Sequence, residues 1–340
     1  MTLKTRQRLL AKTLDYKENG VSQIELPKDN LIRRIDLNFD FNLTTAASPG
    51  TGGTNGDVLN LVKRIEVKIN GNDNVFDLDL KTYFDLLRFE YEAEPFKTTF
   101  AIPAANTSNN QYVTVPIDFA LIRNILTDFS SLIPAQLLDS FELLITWGDL
   151  ADVISTANNT TINAKTKCNV SIVEIYENSP DTSQLNQVIN NLQRVYEGVE
   201  QTEIDQAYSS YPADELPVDI RPVPARHISH LIMGMSNITD GDPSRTNAVI
   251  DKIKLENVKG GGELMMIDKF QYFNQMQKLT LGLESDNEVG EVYLNWVDRR
   301  NGGLDNVDVD ALKYKFLTSA PASTKKNAIR IYKKYIPISS

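Results

Sequence analysis

The sequence predicts an all-β chain of two similar halves, each a β-sandwich or jelly roll with short helices in its connections. Three observations carry this reading. Short runs of alternating apolar and polar residues recur along the whole chain, the pattern of half-buried strands. The helices that a parallel α/β architecture needs between most of its strands are missing. Several segments of the first half return, in the same order, in the second.

The repeat is read from matched segments. Leu61-Val62-Lys63-Arg64-Ile65-Glu66-Val67 precedes Tyr83-Phe84-Asp85-Leu86, and Val249-Ile250-Asp251-Lys252-Ile253-Lys254-Leu255 precedes Tyr272-Phe273-Asn274-Gln275-Met276. Glu25-Leu26-Pro27 has a twin in Glu215-Leu216-Pro217, and Asp139-Ser140-Phe141-Glu142-Leu143-Leu144-Ile145 one in Asp310-Ala311-Leu312-Lys313-Tyr314-Lys315-Phe316. The offsets are 190 (Leu26 to Leu216), 188 (Ile65 to Ile253), 189 (Tyr83 to Tyr272) and 171 (Asp139 to Asp310), so the order is kept.

Taken in order, residues 1–20 read as a short helix carrying Lys4, Arg6, Arg8, Lys12 and Lys17. From Leu31 the period is two: Ile35, Leu37, Phe39 and Phe41 alternate with Asp36, Asn38 and Asp40. A small-residue loop over 46–55 follows, then a strand over 65–69 closed by the turn signal Asn70-Gly71. Residues 75–80 resume a strand, and 81–91 read as a helix with Tyr83, Phe84, Leu87 and Tyr91 near one face. Strands are expected at 113–117, 141–147 and 170–176, with a helix-like stretch after Phe119. Ser179-Pro180 opens a connection over 179–216 whose Leu185, Val188, Ile189, Leu192 and Val195 form a helical stripe that Gly198 ends. The second half then supplies strands at 228–235, 253–258, 291–297, 311–317 and 328–338, a turn over 259–263, and a helix at 269–277 in the place held by 81–90.

Composition excludes several functions. At 340 residues the chain has room for two domains of roughly 150 residues each. A net charge of −10 leaves no general basic surface, so direct nucleic-acid binding is not expected. The single Cys168 permits no intramolecular disulfide and sits in an alternating run as a buried thiol. No stretch approaches the roughly 18 apolar residues that span a bilayer, and the basic start is not followed by an apolar secretory core. Asn-x-Ser/Thr triplets such as Asn106-Thr107-Ser108 are expected by chance in so Asn-rich a chain.

No catalytic or ligand-binding constellation emerges, so no catalytic residue, cofactor or metal is expected. His227 and His230 stand three apart in a strand-like run, which puts them on opposite faces, and there is no third histidine for a metal site. Gly234-Met235-Ser236-Asn237-Ile238 lacks the second glycine of a nucleophile elbow. Gly260-Gly261-Gly262 reads as a hairpin turn rather than a phosphate loop. Asp305-Asn306-Val307-Asp308-Val309-Asp310 lacks the glycine and distal glutamate of a calcium loop.

Leu26-Pro27, Leu31-Ile32-Arg33-Arg34-Ile35, Val62-Lys63-Arg64-Ile65-Glu66-Val67-Lys68-Ile69-Asn70-Gly71 and Phe141-Glu142-Leu143-Leu144-Ile145-Thr146-Trp147-Gly148 together resemble the first domain of double jelly-roll major capsid proteins. The relatives in question are those of icosahedral, internal-membrane viruses of bacteria and archaea, in the tectivirus and adenovirus lineage. The resemblance implies two eight-stranded jelly rolls side by side, over 26–178 and 217–340, after a basic segment at 1–25 and joined by a helical linker at 179–216. It implies a non-enzymatic shell protein that closes into homotrimeric, pseudo-hexameric capsomers. Its partners would be neighbouring capsomers, minor capsid and penton proteins, and it would reside in the virion after assembly in the host cytoplasm. Lys4, Arg6, Arg8 and Lys12 are then the candidates for peripheral contact with an internal membrane at the inner face, together with the Lys325-Lys326 and Lys333-Lys334 pairs. The loops 46–55 and 101–111 are expected at the exposed top or in trimer contacts. The alternative reading is a viral spike or a carbohydrate- or receptor-binding β-sandwich, for which Trp147 and Trp296 are poorly placed, in strand-like runs rather than loops.

Overall fold

The structure is a computed structural model; it describes residues 4–177 apart from 53–55, 72, 92–94 and 121–131, and beyond 177 the backbone of ten strands. The chain divides into two compact units, one built mainly from residues up to Tyr196 and the other from Glu197–Ile338.

The strands up to 177 are β1 (Lys4–Leu9), β2 (Leu14–Asp15), β3 (Val21–Glu25), β4 (Leu31–Thr45), β5 (Val62–Ile69), β6 (Asp73–Leu78), β7 (Thr107–Asp118), β8 (Ile133–Pro134), β9 (Phe141–Trp147), β10 (Thr160–Ile162) and β11 (Lys167–Glu177). Helix α1 spans Leu80–Tyr91 and the short α2 spans Leu150–Val153. All strand pairings among them are antiparallel and make two sheets. The four-stranded sheet runs β3-β9-β5-β6; in the seven-stranded sheet β1-β11-β4-β10 form the path, with β2 on β11 and β7 and β8 on β4.

Alternation explains how the sheets close into a sandwich. Ile35, Leu37, Phe39, Phe41 and Leu43 of β4 are buried, as are Ile65, Val67 and Ile69 of β5 and Phe141, Leu143, Ile145 and Trp147 of β9. The two inner faces meet where the Phe39 ring packs edge-on to Trp147, centroids 6.1 Å apart at 83°. Phe39 also stacks on Phe41 at 5.5 Å, and Tyr16 meets Trp147 edge-on at 5.7 Å. The indole N–H of Trp147 donates to Ser22 Oγ at 3.1 Å, which removes the cost of burying a free donor. Each such buried side chain contributes about 1.5–3 kcal/mol by removal from water.

Turns and caps follow the sequence. Asn70 and Gly71 take φ of 49° and 84°, the left-handed conformations that turn β5 back into β6. Asp79 starts α1: its carboxylate accepts from the Thr82 N–H at 2.8 Å and its carbonyl from the Tyr83 N–H at 3.0 Å. Tyr83, Phe84 and Leu87 are buried as the stripe predicts, whereas Tyr91 at the helix end is 37% exposed.

The second half repeats the strand order. Its strands are β12 (Arg194–Tyr196), β13 (Thr202–Ile204), β14 (Leu216–Val218), β15 (Arg226–Asn237), β16 (Ser244–Arg245), β17 (Ile250–Asn257), β18 (Gly262–Ile267), β19 (Glu291–Asn295), β20 (Leu312–Thr318) and β21 (Asn327–Pro337). A four-stranded sheet runs β14-β20-β17-β18, the same order as β3-β9-β5-β6. In the other sheet β15 pairs with β21 and β19 as β4 pairs with β11 and β7. The first residues of β5 and β17 stand 188 apart (Val62 to Ile250) and those of β9 and β20 stand 171 apart (Phe141 to Leu312), the offsets found in the sequence. The fold is a double jelly roll.

The helix expected over residues 1–20 is corrected: described residues 4–20 carry the strands β1 and β2 instead, because Lys4, Arg6 and Arg8 repeat with period two and β1 has a free edge of β11 to pair with. β1 and β2 pair in the seven-stranded sheet and β3 in the four-stranded sheet. The range 179–216 contains the strands β12, β13 and the start of β14; its helical stripe before Arg194, and Gly198, lie outside the described residues. So do the helix at 269–277, most of the helix-like stretch after Phe119, the turn residues Gly260 and Gly261, Trp296, and the 305–310 run.

Truncating the residue that joins the sheets tests the packing. Phe39→Ala is expected to lower the unfolding free energy by about 3–5 kcal/mol, read from the denaturant midpoint.

Candidate functional site

Among the described residues no group of three or more His, Cys, Asp or Glu side chains converges as a metal site. Ionisable groups with displaced titration serve packing. Cys168 is fully buried and burial pushes its thiol well above the ordinary range, which leaves it unreactive. Tyr16 is pushed up to about 12, first by burial and then by the carboxylates of Glu18, Asp149 and Asp152. Asp149 is held below its ordinary value, first by the Asn19 amide, which donates to Oδ2 at 3.0 Å. It caps α2: Oδ1 accepts from the Ala151 N–H at 2.9 Å, and Asp152 Oδ2 accepts in return from the Asp149 N–H at 3.0 Å. His227 and His230 lie in β15 with a register irregularity between Ile228 and His230. Trp147 is 1% exposed and offers no stacking platform to a sugar.

The basic residues at the start are not brought together as an open patch. β1 pairs with β11 from Lys4↔Glu177 to Leu9↔Ser171, and Arg6 stands opposite Glu174. Glu174 is fully buried, and Arg6 Nε donates to its Oε1 at 2.7 Å. Arg8 Nε lies 3.3 Å from the same oxygen, while Asn30 Nδ2 donates to Oε2 at 2.7 Å. Arg6 also lies over the Tyr176 ring, 5.4 Å from its centroid, and Arg8 Nη2 is 3.7 Å from Asp29 Oδ2. A buried carboxylate needs such donors, since an unpaired charge there is costly. Lys4 is exposed in β1, Lys12 is exposed in the loop after it, and Lys333 and Lys334 lie in β21. The pairing of Arg6 and Arg8 with Glu174 was not visible in the sequence; the period of two in Lys4-Thr5-Arg6-Gln7-Arg8 was its one local trace.

The loops expected at an exposed end do converge. Thr45 at the end of β4 pairs with Thr107 of β7 and Thr160 of β10, so the loops 46–52, 98–106 and 154–159 meet there. Ala46 N donates to Asn159 O at 3.0 Å, Thr51 bridges Thr156, and a Cβ on Gly52 would lie 3.2 Å from the Phe100 ring. Residues 107–111, expected as loop, belong to β7. Residues 41–56, 98–117 and 153–164 contain no Asp, Glu, Lys or Arg in a chain that is 24% charged, so the three loops are uncharged, with Asp57, Lys97 and Lys165 bordering them. Asn106 and Asn158 at their turns have φ of 60° and 45°, a conformation asparagine tolerates better than most residues.

The first unit is therefore polar along its strands. The neutral loops lie at the Thr45 end of β4, whereas the Leu31 end pairs with Ile175, and Lys4 pairs beyond it with Glu177. Lys4 thus lies at the end opposite the loops. In the second unit Pro337 pairs with Arg226, the first residue of β15, so the last strand ends at the corresponding place in its own unit.

Two measurements follow. The fold holds the Tyr16 proton, so its stabilisation is complete below about pH 10 and is lost as pH rises through about 12. The difference in 295 nm absorbance between wild type and Tyr16→Phe should show a phenol titrating near pH 12, not 10. A Cβ on Gly50 would sit 2.5 Å from Thr156 O and 2.8 Å from Ile154 Cδ1, so Gly50→Ala should cost about 1–3 kcal/mol in thermal or denaturant unfolding.

No protein-family model and no curated protein sequence matches this chain. Solved structures do. The crystal structure of the STIV MCP matches with a TM-score of 0.72 at 13% identity, covering 98% of this chain and 97% of that one. A chain of the atomic structure of Sulfolobus Turreted Icosahedral Virus matches at 0.70 and 14%, covering 98% and 91%. The major capsid protein P2 from Bacteriophage PM2 matches at 0.59 and 11%, covering 99% and 98%. Over almost its whole length the chain has the double jelly-roll fold of these capsid proteins.

Proposed function

We propose that this chain is a major capsid protein whose three copies form a pseudo-hexameric homotrimeric capsomer, and that capsomers tile an icosahedral shell. The supporting observation is the repeated strand order, β3-β9-β5-β6 and β14-β20-β17-β18, in a chain that matches viral capsid proteins from end to end. Two similar sandwiches in one chain turn three copies into six similar blocks, which suits hexagonal packing, and cyclic closure covers edges that a monomer leaves open. The role is structural and not enzymatic. Its partners in this reading are neighbouring capsomers and the minor capsid and penton proteins, and assembly takes place in the host cytoplasm.

The polarity of the first unit supports an orientation within that shell. The uncharged loops face outward and the end that carries Lys4 faces inward, where Lys4 approaches an anionic membrane surface; Arg6 and Arg8 join it only when they leave Glu174, and Lys12 follows Leu9, further toward the loops. Each such residue near the surface would add about 1 kcal/mol or less.

Light scattering after gel filtration tests the central claim. Three chains of 38.2 kDa should elute as one species of about 115 kDa. A stable monomer would overturn the capsomer and bring forward the spike or receptor-binding alternative.

A further inference from the structure

β1 differs from the other long strands of the first unit in what holds it. Its one apolar residue, Leu9, is 69% exposed, and Thr5 and Gln7 are exposed as well. It lies at the sheet edge on the path β1-β11-β4, and no hydrophobic burial fastens it there. In its place stand backbone pairing with β11 and two polar anchors on opposite faces. On one, Gln7 Nε2 donates to Asp36 Oδ2 at 2.9 Å and to Ser171 Oγ at 3.2 Å. On the other, Arg6 and Arg8 close over the fully buried Glu174. Strands without apolar anchors occupy the low end of local stability, where small changes open them without unfolding the rest.

We propose that β1 is a releasable strap and that Glu174 is its lock. The carboxylate is fully buried, both β1 arginines meet it, and β11 carries it in the sheet independently of β1. Asn30 Nδ2 supplies it with a donor that does not depend on β1. The loop that follows, with Ala11 and Lys12 exposed before the buried Leu14, gives the strap its hinge. Opening bares the β11 edge from Ser171 to Glu177 to another strand. The proposal rests on this geometry alone and stands apart from the capsid reading.

Native-state hydrogen exchange on the full chain tests it, with Glu174→Gln as an isosteric neutral lock and Arg6→Gln/Arg8→Gln as the complementary change. In both variants the amides of residues 5–9 should exchange at least about tenfold faster, while those of β4 and β9 keep wild-type protection. Unchanged protection of residues 5–9 in both variants would overturn the lock. Loss of protection in β4 and β9 together with β1 would also overturn it, making Glu174 a support of the whole unit. The double variant leaves Asn30 on Glu174, which keeps the test open if Glu174→Gln fails to fold.

Discussion

The first unit depends on one constraint, that β4 must satisfy two neighbours and two faces at once. Its backbone pairs with β11 from Leu31 to Asp40 and with β7 from Arg34 to Thr45. Its inner row, from Ile35 to Leu43, packs toward the sheet that carries Trp147. A slip of one residue would turn that row to the polar face, so register and core are specified together. The helix cap at Asp79, the turn at Asn70-Gly71 and the placement of β5 all serve to bring the second sheet over this row.

The outer face of β4 solves the opposite problem. Its alternate residues are polar and largely shielded, and most find partners on the same strand or its neighbours. Asp36 accepts from Arg34 Nε at 2.6 Å and from Gln7, Asp40 accepts from Asn169 Nδ2 at 3.2 Å, and Thr114 Oγ1 donates to Asn38 Oδ1 at 3.1 Å. The four-stranded sheet uses charge in the same way. Glu66 and Asp77 stand directly opposite each other and are buried, and Arg64 lies between them, 2.7 Å from Asp77 Oδ1 and 3.4 Å from Glu66 Oε1. Lys68 adds a second cation to Glu66 at 3.1 Å. Two like charges in register would repel; the shared guanidinium turns the pair into a cross-strand clamp.

The duplicated strand order gives the molecule its functional logic. A single sandwich has edges and ends of unequal character, and here the ends differ in chemistry. A unit with uncharged loops at one end and Lys4 at the other is suited to a layer with distinct outer and inner surfaces. That is the physical content of the capsid reading, beyond the likeness of fold.

The strands at 35–41, 65–69, 141–147 and 170–176 were legible in the sequence because each buries one face, and burial on one face writes a period of two into the local residues. The twofold plan was legible for the same reason, since β5 and β17, and β9 and β20, carry the pattern at matching offsets. β1 was not, because Lys-Thr-Arg-Gln-Arg-Leu contains no apolar row and its strand character comes from an edge offered by β11. The role of Arg6 hangs on Glu174, 168 residues away, and the uncharged cluster arises from three loops distant in sequence that β4, β7 and β10 carry to one place. By itself the sequence determined where the strands with one buried face lie and that their plan is duplicated, both properties of local periodicity. The tertiary structure alone decided which charges are spent on buried partners and which loops share an end, because long-range strand pairing brings those groups together and leaves no trace in neighbouring residues.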